Sequence, residues 1–235
     1  MQASNRLKST FAEGKQTFGA WQMLPGANIS RLLARSGVDW VLIDCEHGNI
    51  DGALDSGAHG IIVPLVRTVE EAQQLVLDAK FPPLGRRGFG SLIALERFNP
   101  NPTLTQYLYQ ANDALVTIIQ IETREAVESV EEIVAVDGID ALFIGPFDLG
   151  NNLGYPIQKG IIGPELKEAL ARILAATRRA GKKCGIYCKD AQQTREFAAQ
   201  GYDMLVAATD YTALQAAVNG EVSLAKGEQA GKGTW

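Results

Sequence analysis

The feature of this sequence that most constrains its fold is a regular alternation of short apolar runs with helical patterns. Seven runs are nearly continuous in apolar residues, which is typical of strands buried on both faces of a parallel sheet. They are TFGAWQML (17–24), WVLIDCE (40–46), GIIVPLV (60–66), LVTIIQIE (115–122), ALFIGP (141–146), CGIYC (184–188) and DMLVAAT (203–209). Alternating β and α units of this kind predict a parallel sheet, either open or closed.

Between these runs, three segments place their apolar residues on one face of a helix. The segments are VEEAQQLVLDAK, REAVESVEEIVAV and ELKEALARILAATRRAG. The predicted buried faces are Val69, Ala72, Val76 and Ala79 in the first, Ala126, Val127, Val130, Ile133 and Val134 in the second, and Leu166, Ala169, Leu170, Ile173 and Leu174 in the third. Gly181 is predicted to end the third helix as its C′ residue.

Length and charge narrow the class of protein. A chain of 235 residues with 46% hydrophobic content predicts one domain over residues 1–235, with the polar segment 220–235 as a loose C-terminal tail. A net charge of −5 without a long basic run argues against nucleic acid as a partner. Because no apolar stretch approaches about 18 residues and the N-terminus lacks a secretory signal pattern, we expect no membrane segment and a cytoplasmic location.

The cysteines favour the same location. Three cysteines without a CxxC pair predict reduced thiols. Cys184 and Cys188 share strand parity, which leaves a soft metal site open, although apolar packing is the favoured interpretation.

Candidate catalytic residues follow the predicted strands. In a barrel, catalytic groups gather at the C-terminal ends of the strands. Asp44 lies near the end of the second predicted strand, and His47 follows it. Gln120 and Glu122 lie at the end of the fourth, and Asp148 lies just beyond the fifth. Two carboxylates on neighbouring strands suit Mg²⁺ or Mn²⁺, although each acid could equally cap the helix that follows it.

The two histidines differ in their surroundings. His47 lies in the loop HGNIDG beside carboxylates, where it could be a general base or make a structural hydrogen bond. His59 precedes a strand and is predicted to be structural.

A glycine-rich loop, PPLGRRGFGS (82–91), offers a second group of candidates. Its glycines allow close backbone approach to a ligand, so Gly90 and Ser91 are candidate substrate-binding residues. Arg86 and Arg87 could meet a carboxylate, although surface arginines are more often solvated.

Taken together, these motifs resemble the HpcH/HpaI aldolase family, the metal-dependent class II pyruvate aldolases of the phosphoenolpyruvate/pyruvate-binding barrels. The matching stretches are WVLIDCEHG, GAHGIIVPLV, KFPPLGRRGFGS, QIETREA, GIDALFIGPFDL and LGYP, in that order over most of residues 15–210. The resemblance implies a TIM (β/α)₈ barrel that reversibly cleaves 4-hydroxy-2-oxo acids to pyruvate and an aldehyde. It also implies a divalent metal (Mg²⁺, Mn²⁺ or Co²⁺) and a homo-oligomer, either a trimer or a hexamer.

The resemblance also assigns the metal and substrate residues. Glu122 of QIETREA and Asp148 of GPFDL match the metal ligands, and Gln120 matches a residue beside them. The backbone N–H groups of Phe147 and Asp148 would receive the carboxylate of pyruvate.

Three further matches concern proton transfer. His47 of the CEH motif matches a base that works through a water molecule, and Asp55 of ALDSG matches the acid paired with it. Asp44 matches a neighbouring acid that helps to hold the site.

The sequence departs from the family pattern in one place. Members of the family carry a helix, then a strand that ends in a substrate-binding arginine, between the CEH histidine and the ALDSG aspartate. Here His47 and Asp55 are only eight positions apart, and no residue matches that arginine. The difference is about one β/α unit after Asp51, roughly 30 residues, and it accounts for the absence of an eighth strand. We therefore predict a segment omitted between Gly52 and Ala53; a real deletion would predict weak or absent activity.

Two other functions stay open at this point. The same metal site could decarboxylate oxaloacetate, or the chain could be a catalytically silent oligomeric paralogue. Retention of Glu122, Asp148 and His47 argues against the silent form, whereas the missing arginine argues for it.

Overall fold

Seven parallel strands form the centre of the structure, a computed structural model that describes residues 1, 4–44, 50–98 and 100–227. The strands are β1 (Thr17–Gln22), β2 (Trp40–Ile43), β3 (Gly60–Val63), β4 (Val116–Ile121), β5 (Ala141–Ile144), β6 (Lys183–Ile186) and β7 (Met204–Thr209). All seven predicted strands are confirmed, and most are shorter than predicted.

The order of the strands is that of a barrel with one interruption. The sheet runs β2-β1-β7-β6-β5-β4-β3, and every pair of neighbours is parallel. The first and last strands, β1 and β7, are therefore partners, as they are in a closed barrel. Within the part of the chain that the structure describes, β2 and β3 are the consecutive strands that do not pair, and the predicted TIM barrel would have one further β/α unit at this point.

Helices surround this sheet. They are α1 (Arg6–Ala12), α2 (Ala27–Ala34), α3 (Ile50–Asp55), α4 (Val69–Ala79), α5 (Leu104–Ala114), α6 (Arg124–Glu128), α7 (Val130–Ala135), α8 (Pro146–Leu153), α9 (Pro164–Arg179), α10 (Ala191–Gln200) and α11 (Asp210–Ala225), with a 3₁₀ helix at Ile93–Arg97. None of the helices in the described part of the chain is long and apolar enough to cross a membrane.

Two helix boundaries differ from those predicted. The pattern predicted over 124–136 is divided into α6 and α7 at Ser129, whose ψ of 16° departs from helical geometry. The predicted start of the tail at residue 220 falls inside α11, which continues to Ala225. The C-terminal end of α9 is as predicted, because Gly181 adopts a left-handed φ of 69° directly after the C-cap.

The predicted apolar faces are buried apart from Val69 and Ala169, which are partly exposed. The faces of α4, α6, α7 and α9 pack against one side of the sheet in a cluster that includes Ile119, Ile121, Leu142 and Ile144, and Ala79 of α4 packs in a second cluster. The opposite side of the strands lines the interior, where Ile118 and Phe143 pack with Phe11 of α1. Because side chains alternate along a strand, Gln120 and Glu122 continue the interior series of Ile118.

The N-terminal ends of β4 and β5 are joined by charged groups. Asp140, which precedes β5, accepts a hydrogen bond from the backbone N–H of Thr117 at 2.8 Å and forms ion pairs with Lys8 and Lys80. Lys80 is buried, and its ammonium group also donates to the backbone carbonyl of Asn112. Burial lowers the pKa of Lys80, and the carboxylate of Asp140 opposes that shift.

The core assignment can be tested by truncating one leucine on β5. Leu142 is 0% exposed, so Leu142→Ala should lower the free energy of unfolding by about 2–5 kcal/mol, because it leaves a cavity between the sheet and the helices. Leu32 of α2 is 67% exposed, and Leu32→Ala should change it by less than about 0.5 kcal/mol. Urea denaturation of both variants measures the difference; equal losses would contradict the assignment.

Candidate active site

Glu122 is the centre of the polar groups at the C-terminal edge of the sheet. It follows β4 directly and is only 3% exposed. Its Oε1 accepts a hydrogen bond from the backbone N–H of Leu65 at 2.8 Å, and its Oε2 accepts one from Nε2 of Gln120 at 2.7 Å. These contacts satisfy a buried carboxylate and hold it in one orientation.

The residue that donates to Glu122 has an unusual backbone. Leu65 lies just after β3 with φ at 57°, in the left-handed region that leucine rarely adopts. Such a conformation costs about 1–2 kcal/mol and is characteristic of functional sites. Sequence reasoning missed Leu65, because no residue in VPLV is of the type that normally marks a left-handed position.

Gly145 brings β5 close to this carboxylate. It follows β5 and is the N-cap of α8. A Cβ atom at this position would lie 2.8 Å from Oε2 of Glu122 and 2.9 Å from Nε2 of Gln120. The absence of a side chain is therefore what allows the pair to pack beneath α8.

The first turn of α8 faces solvent beside Glu122. Phe147 and Asp148 are both exposed, and Pro146 occupies the first helical position. Amide groups in the first turn of a helix lack acceptors within the helix, and the helix dipole favours negative charge there. The N–H groups of Phe147 and Asp148 are thus suited to an anion such as a carboxylate.

Asp44 lies at the same edge of the sheet, after β2. Its Oδ2 accepts a hydrogen bond from Nε1 of Trp21 at 3.0 Å. The indole of Trp21 packs against Phe143 and Tyr187, with ring centroids 5.9 Å apart in each case. This aromatic group inside the barrel was missed by a search restricted to acids, amides and histidines. His47 falls within residues 45–49, outside the described part of the chain.

Three of the predicted site residues lie away from the polar group around Glu122. They are Asp55, Gly90 and Ser91. Asp55 ends α3 before β3 begins, so it lies at the N-terminal end of the sheet. β4 is six residues long, which separates the two ends of that strand by about 17 Å. Gly90 packs against Oδ2 of Asp55, and Ser91 caps the 3₁₀ helix by accepting from the N–H of Ile93. Within this chain the three residues therefore lie away from Glu122, and the roles predicted for them stay predictions.

The arginines of the glycine-rich loop have partners within the protein. Arg86 binds Asp78 through Nε and Nη2, and Arg87 donates from Nη2 to Oδ1 of Asp55 at 2.7 Å. The carboxylate partner found for each arginine is therefore an aspartate of this chain. His59 is structural, as predicted: its Nε2 contacts the carbonyl of Arg97 at 2.9 Å.

The cysteines in the described residues are packing groups. Cys184 and Cys188 are buried, and burial raises the pKa of each thiol to about 12. Both are therefore protonated near neutral pH, which disfavours the soft metal site because a metal binds the thiolate. The favoured interpretation, apolar packing, agrees with their place in the main cluster.

The donor set at the C-terminal edge suits a hard cation. Glu122 and Asp148 are carboxylates from neighbouring parts of the sheet edge, and Mg²⁺ is commonly held by one or two carboxylates together with waters and substrate oxygens. No cluster of three or more metal-ligating His, Cys, Asp or Glu side chains occurs among the described residues. The chain therefore fits a cation that keeps part of its shell for other ligands.

Several known proteins are similar to this chain. It is 34% identical to the hydroxypyruvate/pyruvate aldolase of Rhizorhabdus wittichii, over 91% of this chain and 95% of the relative. It is 33% identical to the 4-hydroxy-2-oxo-heptane-1,7-dioate aldolase of Salmonella paratyphi C, over 89% and 90% of the two chains. The crystal structure of an HpcH/HpaI aldolase from Desulfitobacterium hafniense superposes with a TM-score of 0.84 at 29% identity, covering 94% of this chain and 96% of that one.

The alignments contain positions that this chain lacks. The match to the Rhizorhabdus wittichii relative extends over 244 aligned positions but covers 91% of 235 residues, about 214. About 30 positions of the alignment therefore have no counterpart here. The match to the Salmonella relative extends over 242 positions and 89% of the chain, which leaves about 33.

The family match covers most of the fold. The model of the HpcH/HpaI aldolase/citrate lyase family matches residues 48–217, which include β3 through β7 and both Glu122 and Asp148. Together with relatives that are at least 30% identical over nine tenths of the chain, this match shows that the protein belongs to the HpcH/HpaI aldolase/citrate lyase family.

Proposed function

We propose that the protein is a class II aldolase, a carbon–carbon lyase that reversibly cleaves 4-hydroxy-2-oxo acids to pyruvate and an aldehyde. One observation carries this proposal. A buried glutamate, held by a backbone N–H group and an amide, lies against Gly145, the N-cap of α8, and the first turn of that helix carries the exposed Asp148. The relatives named above as aldolases support it.

The chain's own residues are suited to bind the 2-oxo acid. The N–H groups of Phe147 and Asp148 receive the substrate carboxylate at the N-terminus of α8. Glu122 and Asp148 would hold Mg²⁺, Mn²⁺ or Co²⁺, and Gln120 keeps Glu122 in place. When bound, such an ion supplies Lewis-acid polarisation of the substrate's oxo group.

Proton transfer is assigned to residues that follow β2 in the sequence. His47 accepts the proton of the 4-hydroxyl group through a water molecule, and Asp44, fixed by Trp21, stabilises the charge that develops. The bond between C3 and C4 breaks as the aldehyde carbonyl forms, and its electron pair passes to the pyruvate half. No contact among the described residues favours oxaloacetate decarboxylation or a silent paralogue over this reaction.

The metal requirement can be tested at Glu122. Chelation with EDTA should abolish pyruvate release, and Mg²⁺, Mn²⁺ or Co²⁺ should restore it. Glu122→Gln should lower activity by roughly 100-fold or more, because it removes a charged ligand. Glu125→Gln, an exposed carboxylate in the next helix, is the matched control and should keep full activity. Undiminished activity in excess EDTA would exclude a class II mechanism.

The position of the Glu122–Gln120 pair can be tested at Gly145. Gly145→Ala should lower kcat/KM by about 10- to 100-fold, because the new Cβ displaces both side chains. Gly163 is also a glycine N-cap followed by proline, but there a Cβ would meet nothing closer than 3.6 Å. Gly163→Ala should therefore be neutral; steady-state kinetics that show equal losses would mean that the close packing at Gly145 is unimportant.

The subunit arrangement is also part of the proposal: a homo-trimer or homo-hexamer. The last helix, α11, is 16 residues long and has exposed hydrophobic side chains, among them Leu214, Val218 and Val222. An exposed apolar helix face indicates an interface. Light scattering should give a mass three or six times that of the chain, and Leu214→Glu with Val218→Glu should reduce it. A monomer at micromolar concentration would contradict the proposal.

We also assign the protein to the cytoplasm. The support is indirect and comes from its cysteines, which lack a CxxC pair and include two buried thiols.

A further inference from the structure

Glu122 and Asp148, the two carboxylates proposed to hold the metal, come from different elements. Glu122 directly follows β4, whereas Asp148 lies in the first turn of α8, which follows β5. Two ligands of one ion must keep a fixed separation, because Mg²⁺ requires oxygen atoms at about 2.0–2.1 Å in nearly octahedral geometry. That separation depends on how α8 is attached to the segment that follows β4.

One attachment is a hydrogen bond between the backbone of Arg124 and the side chain of Asn152. The N–H group of Arg124, two residues after Glu122, donates to Oδ1 of Asn152 at 2.7 Å. Arg124 is the first residue of α6, where backbone N–H groups have no acceptor within the helix. Asn152 lies four residues after Asp148 in α8, and residues with this spacing share one face of a helix. The bond therefore ties the helix face that carries Asp148 to the chain that carries Glu122.

A second attachment uses the side chain of Arg124. Its Nη2 donates at 2.7 Å to the backbone carbonyl of Leu153, the last residue of α8. Carbonyl groups in the last turn of a helix have no donor within the helix, and the helix dipole favours positive charge there. The carbonyl of Asn151 accepts from the N–H group of the C-cap, Gly154, and Arg124 supplies the donor for that of Leu153.

Apolar packing holds α8 against the core but does not orient its exposed face. Leu149 and Leu153 are buried in the main cluster, and α8 has only eight residues, or about 12 Å of helix. The hydrophobic effect is non-directional, whereas a hydrogen bond is directional. Asp148 and Asn152 are both exposed, so the two bonds to Arg124 are the directional contacts at this end of the helix.

We infer that Arg124 and Asn152 are positioning residues, a clamp that sets the separation between Glu122 and Asp148 and thereby the affinity of the site for its cation. Neither residue is itself a ligand, because Oδ1 of Asn152 accepts from Arg124 and the guanidinium group has the same sign of charge as the ion. The inference rests on the metal site of the proposed function, but it does not depend on which substrate is cleaved.

Binding of Mn²⁺ to the metal-free protein tests the clamp without any substrate. Asn152→Ala removes the acceptor, and Arg124→Met removes the guanidinium donor. Each should weaken Mn²⁺ binding in isothermal titration calorimetry by about 10-fold, the lower end of the cost of losing a group that orients metal ligands, because the apolar contacts of α8 remain. Arg124→Lys keeps a cationic donor and should bind Mn²⁺ more tightly than Arg124→Met.

Two control variants change the same residue types outside the clamp. Asn151 is the exposed neighbour of Asn152 in α8, and its side chain has no hydrogen bond within the described part of the chain. Arg179 is an exposed arginine that pairs with Glu131. Asn151→Ala and Arg179→Met should both bind Mn²⁺ as the unmodified chain does.

Steady-state kinetics separate positioning from general stability. In Asn152→Ala, the Mn²⁺ concentration that gives half-maximal activity should rise by the same factor as the dissociation constant, while kcat at saturating Mn²⁺ stays close to that of the unmodified chain. A purely structural role would lower the midpoint of thermal unfolding and leave the Mn²⁺ affinity of the folded protein unchanged. Unchanged affinity in both Asn152→Ala and Arg124→Met would overturn the inference.

Failure of the proposed function gives a different result. If the unmodified chain binds Mn²⁺ and the clamp variants bind it more weakly, the inference holds even when no pyruvate is released from any 4-hydroxy-2-oxo acid. If the unmodified chain binds no Mn²⁺, the metal site and the clamp are both rejected.

Discussion

The parallel pairing of β4 with β5 is the interaction on which the candidate site depends. Its register sets Gln120 opposite Phe143 and Ile121 opposite Ile144, so that Glu122 and Gly145 emerge side by side at the same edge. Parallel strands place all their C-terminal ends together, which no antiparallel arrangement does. The site therefore draws on residues that lie far apart in the chain but directly follow the ends of neighbouring strands.

The two ends of the sheet have different chemistry. At the N-terminal end, Asp140 is surrounded by Lys8, Lys80 and the N–H of Thr117, so that its charge is compensated within the protein. At the C-terminal end, Glu122 accepts from neutral donors, and Asp148 is exposed at a helix N-terminus. The N-terminal end of the sheet therefore contributes to stability. The C-terminal end leaves negative charge and helix N-terminal amide groups available to ligands, as the same end does in other β/α barrels.

The break in the sheet affects the same edge. Asp44 follows β2 and Leu65 lies just after β3, so the two unpaired strands lead directly into two residues of the site. Leu65 holds a left-handed conformation and donates to Glu122. Among the described residues β3 pairs with β4 alone, so the backbone that orients the glutamate lies next to a sheet edge.

The sequence by itself determined the elements and most of the chemistry. Continuous apolar runs were enough to predict all seven strands, because a strand buried on both faces is apolar throughout. Helical periodicity was enough to predict the buried faces of α4 and α9, because a helix buried on one face is apolar only there. Asp44 and Glu122, directly after strands, and Asp148, in the first turn of the helix after β5, were predicted from their places beyond the apolar runs. Only the tertiary structure decided which of the predicted residues meet. Asp55 was expected beside them and lies at the other end, because a helix that returns antiparallel to the strands carries its last residue away from their C-terminal edge. The left-handed Leu65, the contact of Gly145 with Glu122 and the hydrogen bond from Trp21 to Asp44 depend on distances between segments far apart in the chain, which local patterns do not specify.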